Sequence, residues 1–248
     1  MIKFLGGAAL AATLSLIPAT NLAGASSQPA VIAAVATAVA PAKLTPAAEF
    51  GLNFARDVRR ASGLAPGQTA QDFEAWLARS PANRAGLAAF RDYLAAQGVA
   101  AVVPLWQLAR TSSSWSECGA EPFEAPPADK WEHIATTLKF VRDDVVPRVG
   151  EVEALSAYRN ATLNRCSGGA PKSAHREFFA LDLTPINKAV ERTAMIRSVC
   201  AAHARDGRAY DTGLGFYTGR RFHVDSSGFR KWGADGRGAT SPCAGNNA

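Results

Sequence analysis

Ser173-Ala174-His175-Arg176-Glu177-Phe178-Phe179-Ala180-Leu181-Asp182 is the stretch on which the reading of the fold turns. From Phe178 to Leu183 it is an apolar run with the length of a buried strand. Asp182 sits inside that run, flanked by Leu181 and Leu183. A buried carboxylate is costly unless a cation or several hydrogen bonds meet it. His175 stands seven positions earlier and offers an imidazole nitrogen. Zinc accepts both atom types, so a metal ion would satisfy the carboxylate.

A second stretch, Arg221-Phe222-His223-Val224-Asp225, reads as another strand. Alternation puts Arg221, His223 and Asp225 on one face and Phe222 and Val224 on the other. His223 therefore shares its face with charged residues, which fits a polar cleft. His175, Asp182 and His223 together make three metal ligands and leave a fourth position for water, the mark of a catalytic zinc site. Asp225 has two possible roles: general base, or a partner that orients the imidazole of His223. Glu177 is a weaker candidate base. Arg159 follows a predicted strand in Ser156-Ala157-Tyr158-Arg159-Asn160, where it could polarise a carbonyl or hold a substrate carboxylate. It could equally tie down the loop that follows.

Around these stretches the pattern is mixed. Residues 47–110 read as a helical N-terminal region. Phe50, Phe54 and Val58 form one apolar stripe, and Phe73, Trp76 and Leu77 another. Ser80-Pro81 caps a helix carrying Leu87, Phe90 and Leu94, which Gly98 ends. Val99 to Leu108 is rich in Val and Leu and predicts a strand or two. Residues 111–128 form a loop by composition. Asp129 caps a helix to about Arg142, and Pro147 and Gly150 stop it. A strand is expected over Val152 to Tyr158, a loop over Asn160 to Ser173, and a helix from about Asn187 to Arg205. Two strands follow near Leu214 to Tyr217 and Phe222 to Asp225. Short strands partly segregated from helices predict an α+β domain over residues 111–248.

The motifs in order are Ser156-x-Tyr158-Arg159, Gly168-Gly169, Ser173-x-His175 with Asp182, Gly213-x-Gly215-x-Tyr217, His223-Val224-Asp225, and Arg230-x-Trp232. This set resembles the zinc D-Ala-D-Ala carboxypeptidase family, in the branch whose last zinc histidine lies in a His-Val-Asp triplet. The resemblance covers about residues 130–233. It implies a small antiparallel sheet with flanking helices, a Zn2+ ion in an open groove, and cleavage of D-amino-acid peptide bonds in peptidoglycan. By position it implies His175, Asp182 and His223 as metal ligands, Arg159 as the arginine facing the substrate carbonyl, and Ser173 and Tyr158 as substrate contacts. Two departures stand out. Phe178 occupies a position where the family usually has Gly, which would narrow the groove or shift the strand. Arg220 occupies the position, three before the last histidine, where many members carry an acidic general base; Asp225 is the substitute.

The remaining features bound the function. The 248 residues carry 27 Lys+Arg against 21 Asp+Glu, for a formal charge of +6. A mild basic excess suits an anionic surface such as a cell wall. No basic block is long enough to argue for nucleic acid. Residues 1–25, with Lys3, an apolar run from Phe4 to Ile17 and Ala23-Gly24-Ala25, read as a signal peptide and predict export to the periplasm or beyond. A retained anchor is the other reading. No later segment predicts a membrane span. Residues 26–46, rich in Ala, Pro and Ser, read as a flexible linker. Cys118, Cys166, Cys200 and Cys243 predict two disulfides, with three pairings open. His133 and His203 read as structural or surface residues, and Trp76, Trp106 and Trp131 as core. A zinc-containing cell-wall binding protein without catalysis is the alternative to the peptidase. A scaffold without metal is the third reading.

Overall fold

The computed structural model describes residues 65–245. The predicted signal peptide, the linker and the Phe50–Phe54–Val58 stripe lie outside the described residues.

Helix α1, Ala70–Ala78, starts from a capping box: Thr69 Oγ1 accepts from the Asp72 amide at 3.2 Å, and the Asp72 carboxylate accepts from the Thr69 amide at 2.9 Å. Helix α2, Pro81–Ala96, is capped by Ser80, whose Oγ accepts from the Asn83 amide, with proline in the first turn. Gly98 follows at φ +69, the left-handed conformation that closes helices. Phe73, Trp76, Leu77, Leu87, Phe90 and Leu94, the apolar stripes of these two helices, are buried.

The stretch Val99 to Leu108 corrects the expectation of strands. It forms turns and one short helix, α3, Leu105–Leu108. Pro104 removes a strand donor and presets the backbone for a helical turn. The apolar content that looked like a strand serves the core instead, with Val99, Val103, Trp106 and Leu108 buried.

Helix α4, Trp131–Phe140, continues through one π turn, Val141–Val145, into α5, Val146–Val149. Pro147 sits in the first turn of α5, where its missing N–H is tolerated, so Gly150 at φ +77 alone makes the stop. Strand β1 is Val152–Ser156. The expected loop after Arg159 contains a short helix, α6, Ala161–Cys166, nucleated by Asn160 Oδ1 accepting from the Leu163 amide at 2.9 Å. Strand β2, Ala180–Pro185, begins two residues later than its apolar run, because Phe178 takes a left-handed φ of +57. Helix α7, Arg192–Asp206, also starts late. Asn187 turns the chain by accepting from the Ala189 amide, a local bond that competes with helix.

Strands β3 (Gly213–Phe216), β4 (Phe222–Asp225) and β5 (Arg230–Trp232) complete a five-stranded sheet of order β1-β2-β4-β3-β5. All pairs are antiparallel except β3 with β5. The architecture is α+β, as the sequence predicts. Leu181, Leu183, Leu214, Phe216, Phe222 and Val224 are buried in a core shared with the helices. The disulfides pair Cys118 with Cys166 and Cys200 with Cys243, leaving no cysteine free. The first ties the 111–128 loop to α6; the second ties α7 to the C-terminal turn. Among the described residues no helix is long and apolar enough to cross a membrane.

Candidate metal centre

The sheet register builds the site. Asp182 on β2 pairs directly with His223 on β4, His223 with Gly215 on β3, and Gly215 with Trp232 on β5. One step along, Ala180, Asp225, Gly213 and Arg230 form a second row on the same face. A polar face two rows deep therefore backs onto the apolar core.

The glycines of β3 are the space for these rows. A Cβ on Gly215 would meet the Trp232 ring at 2.0 Å, and one on Gly213 would meet Asp225 Oδ2 at 2.3 Å and Arg230 Nη1 at 2.5 Å. The Gly213-x-Gly215 spacing lets Trp232 and the Asp225–Arg230 pair lie flat across β3. Trp232 then packs 5.3 Å from the rings of both His223 and Tyr217.

His175 arrives from the turn Ala174–Glu177, and its ring is anchored by Nδ1 donating to the Ala157 carbonyl at 2.6 Å. That bond sets the tautomer and leaves Nε2 as an acceptor. His175 Nε2 is buried and makes no hydrogen bond; it lies 3.3 Å from Asp182 Oδ1. His223 Nδ1 lies 3.1 Å from the same oxygen, while its Nε2 donates to Asp225 Oδ2 at 2.8 Å. The three ligand atoms lie within 4.8 Å of one another, and all three residues are buried.

These residues fit a zinc ion. Bond lengths of about 2.0–2.1 Å in tetrahedral geometry place ligand atoms roughly 3.3 Å apart. The separations to Asp182 Oδ1, 3.3 and 3.1 Å, match that spacing. An unpartnered imidazole nitrogen aimed at a shared carboxylate is also the donor set zinc prefers.

The electrostatics agree. Burial, joined by the Arg159 charge, lowers the His175 pKa to about 4, so its ring is neutral. Burial works against ionisation of Asp182, but His175, His223 and Arg221 outweigh it and hold the carboxyl well below its usual range. Burial likewise opposes the Asp225 charge, and bonds from His223, Arg230 and Ser227 more than compensate. Burial and the Asp182 charge raise the Tyr217 hydroxyl, which stays protonated.

Arg159 lies against Asp182, with Nη2 3.8 Å from Oδ2 and an unpartnered buried Nε. Ser173 precedes the turn that carries His175. Tyr158 lies edge-on to Phe178, with ring centroids 6.1 Å apart. Phe178 does not narrow the metal groove: its ring is buried against Phe90 of α2 at 5.7 Å. Arg220 is a clamp, donating to the carbonyls of Pro185, Asn187 and Val190. Glu177 is held in an ion pair with Lys130.

Three residues quoted in the sequence motifs carried no assigned partner there. Tyr217 donates to Asp182 Oδ1 at 3.0 Å, and Arg221 donates to Asp182 Oδ2 at 2.6 Å and to Ser113 Oγ at 3.1 Å. Arg230 grips Asp225 through both terminal nitrogens, at 3.0 and 2.7 Å. Alternation along β4 marked Arg221 as facing the cleft, but nothing local named its partner.

Residues 108–225 match the family Peptidase M15. The matched stretch contains His175, Asp182 and His223, together with Arg159 and Asp225. Arg230 and Trp232, which complete the rows on the sheet, lie just beyond it. No curated protein and no solved structure matches the chain.

Proposed function

We propose that this protein is a zinc-dependent peptidase that hydrolyses D-amino-acid peptide bonds in peptidoglycan, as a D,D-carboxypeptidase or endopeptidase. The observation that carries the reading is the buried, unpartnered His175 Nε2 facing a carboxylate shared with His223. It is joined by the M15 match over that stretch. His175, Asp182 and His223 would hold the zinc, which when bound supplies a Lewis acid and lowers the pKa of water.

The chain's own groups do the rest. Arg159 offers a guanidinium beside the metal ligands for the scissile carbonyl and the charge that develops on it. Tyr217, neutral and next to Arg159, commits its hydroxyl proton to Asp182 Oδ1 and so fixes that carboxylate. Ser173, next to the turn that carries His175, and Tyr158, next to Arg159, are the peptide contacts in this reading. Asp225 acts through His223: its two oxygens already accept from His223, Arg230 and Ser227, so it fixes the imidazole instead of exchanging protons with substrate. Two disulfides accord with export.

A zinc-containing cell-wall binding protein is the second reading. It draws on an arginine, Arg220, standing where many members of the family carry the acidic base, and on Asp225 being held by three partners, so neither position supplies a free carboxylate. Digestion of purified peptidoglycan with mass analysis of the products separates the two. Release of D-Ala or severed cross-links, stopped by chelator and restored by zinc, is the expected result. Metal-loaded protein that leaves the wall intact would overturn the peptidase.

A further inference from the structure

The two oxygens of Asp182 have different neighbours. Oδ1 faces the other ligand atoms, with His223 Nδ1 at 3.1 Å and His175 Nε2 at 3.3 Å, and it accepts from the Tyr217 hydroxyl at 3.0 Å. Oδ2 is turned to positive charge. Arg221 Nη2 donates to it at 2.6 Å, a short charge-assisted bond. Arg159 Nη2 stands off at 3.8 Å, an ion pair without a hydrogen bond. Among the described residues, Arg221 alone bonds Oδ2.

This division matters to a metal ion. A carboxylate can meet a metal through one oxygen or through both. A catalytic zinc site takes one atom from each of three protein ligands and keeps its fourth position open. If Oδ2 also reached the metal, Asp182 would fill that position. Arg221 holds Oδ2 elsewhere.

Arg221 is itself braced. Nη1 donates to Ser113 Oγ at 3.1 Å while Nη2 holds Asp182, so two bonds fix the plane of the guanidinium. The guanidinium lies 5.3 Å from the centre of the Tyr217 ring, and the two side chains each take one oxygen of the same carboxylate. Ser113 is anchored in turn. Ser112 Oγ beside it accepts from Ser167 Oγ at 3.0 Å, and the Cys118–Cys166 disulfide ties the same loop to α6. We propose, resting on the zinc reading above, that Arg221 is a positioning residue of the metal centre: it limits Asp182 to one ligand oxygen and so reserves the fourth position.

The test is visible absorption of the protein loaded with cobalt(II), which accepts the same ligand atoms and absorbs more strongly when four-coordinate than when five-coordinate. The parent should show the strong four-coordinate bands. In R221A, with the fold checked by circular dichroism, absorption per bound cobalt should fall roughly twofold or more as Oδ2 joins the metal. R221K, which still offers an ammonium to Oδ2, should recover most of that loss. An R221A protein whose bound cobalt absorbs as in the parent, even if it binds less, would overturn the proposal and leave Arg221 a brace for the loop. A five-coordinate parent would overturn it while leaving the metal ligands in place. A parent that takes up no cobalt would overturn the zinc reading, and this role for Arg221 with it.

Discussion

Asp182 and His223 stand directly opposite each other across β2 and β4, with His223 Nδ1 3.1 Å from Asp182 Oδ1. Because the register fixes this pair, the ligand geometry is a property of the sheet, and only His175 depends on a turn. The substitution Asp182→Asn should therefore abolish metal binding while leaving the fold intact. Circular dichroism beside metal analysis checks this, and a variant that keeps its zinc would contradict it.

Asp225 is a positioning residue in this account. Asp225→Asn keeps the size but weakens the hold on His223. Metal affinity should fall by about 10–100-fold, and excess zinc should recover most of the turnover. If Asp225 were the general base, activity would stay low even with the site saturated. Turnover measured against zinc concentration distinguishes the two.

Gly215 should tolerate no side chain. In Gly215→Ala the new Cβ would meet Trp232, and overpacking of this kind costs about 1–3 kcal/mol. Adding Trp232→Ala should recover part of that loss. A denaturant-midpoint double-mutant cycle showing strict additivity would refute the close packing.

Phe178 combines an unfavourable backbone with a favourable side chain. Its left-handed φ costs roughly 1–2 kcal/mol, and its buried ring contributes more, since truncating a core Phe costs about 3–5 kcal/mol. Phe178→Gly should lower stability by about 2 kcal/mol net and leave zinc content unchanged. A stabilised variant would show that the strain outweighs the packing.

His203 predicts a pH effect on stability. Burial, opposed by hydrogen bonds to the carbonyls of Thr212 and Arg230, holds its pKa below the ordinary 6.5. The unfolded chain then binds the extra proton first, so this stability is complete above pH 6.5 and is lost as pH falls below it. Melting curves of His203→Gln should show a shallower decline between pH 6.5 and 5 than the parent; equal slopes would refute the assignment.

Much of the site was legible in sequence because its residue types conflict with their surroundings. Asp182 in an apolar run needed a cation, and alternation put His223 and Asp225 on one face. The α+β class followed from short strands beside helical stripes. What stayed hidden needed three dimensions. The parallel pairing of β5 with β3, and hence the reach of Arg230 and Trp232 over the glycines, has no local signal. Val99 to Leu108 misled because apolar content reports burial and not backbone state; Pro104 was the better guide. Phe178 and Asn187 delayed their elements through backbone preferences that hydrophobic periodicity does not see.

The central claim is one zinc ion held by His175, Asp182 and His223. Metal analysis of the purified protein and of His175→Ala tests it most directly. One zinc per chain in the parent and none in the variant is the predicted result. A parent protein without zinc, or a variant that retains it, would contradict the account.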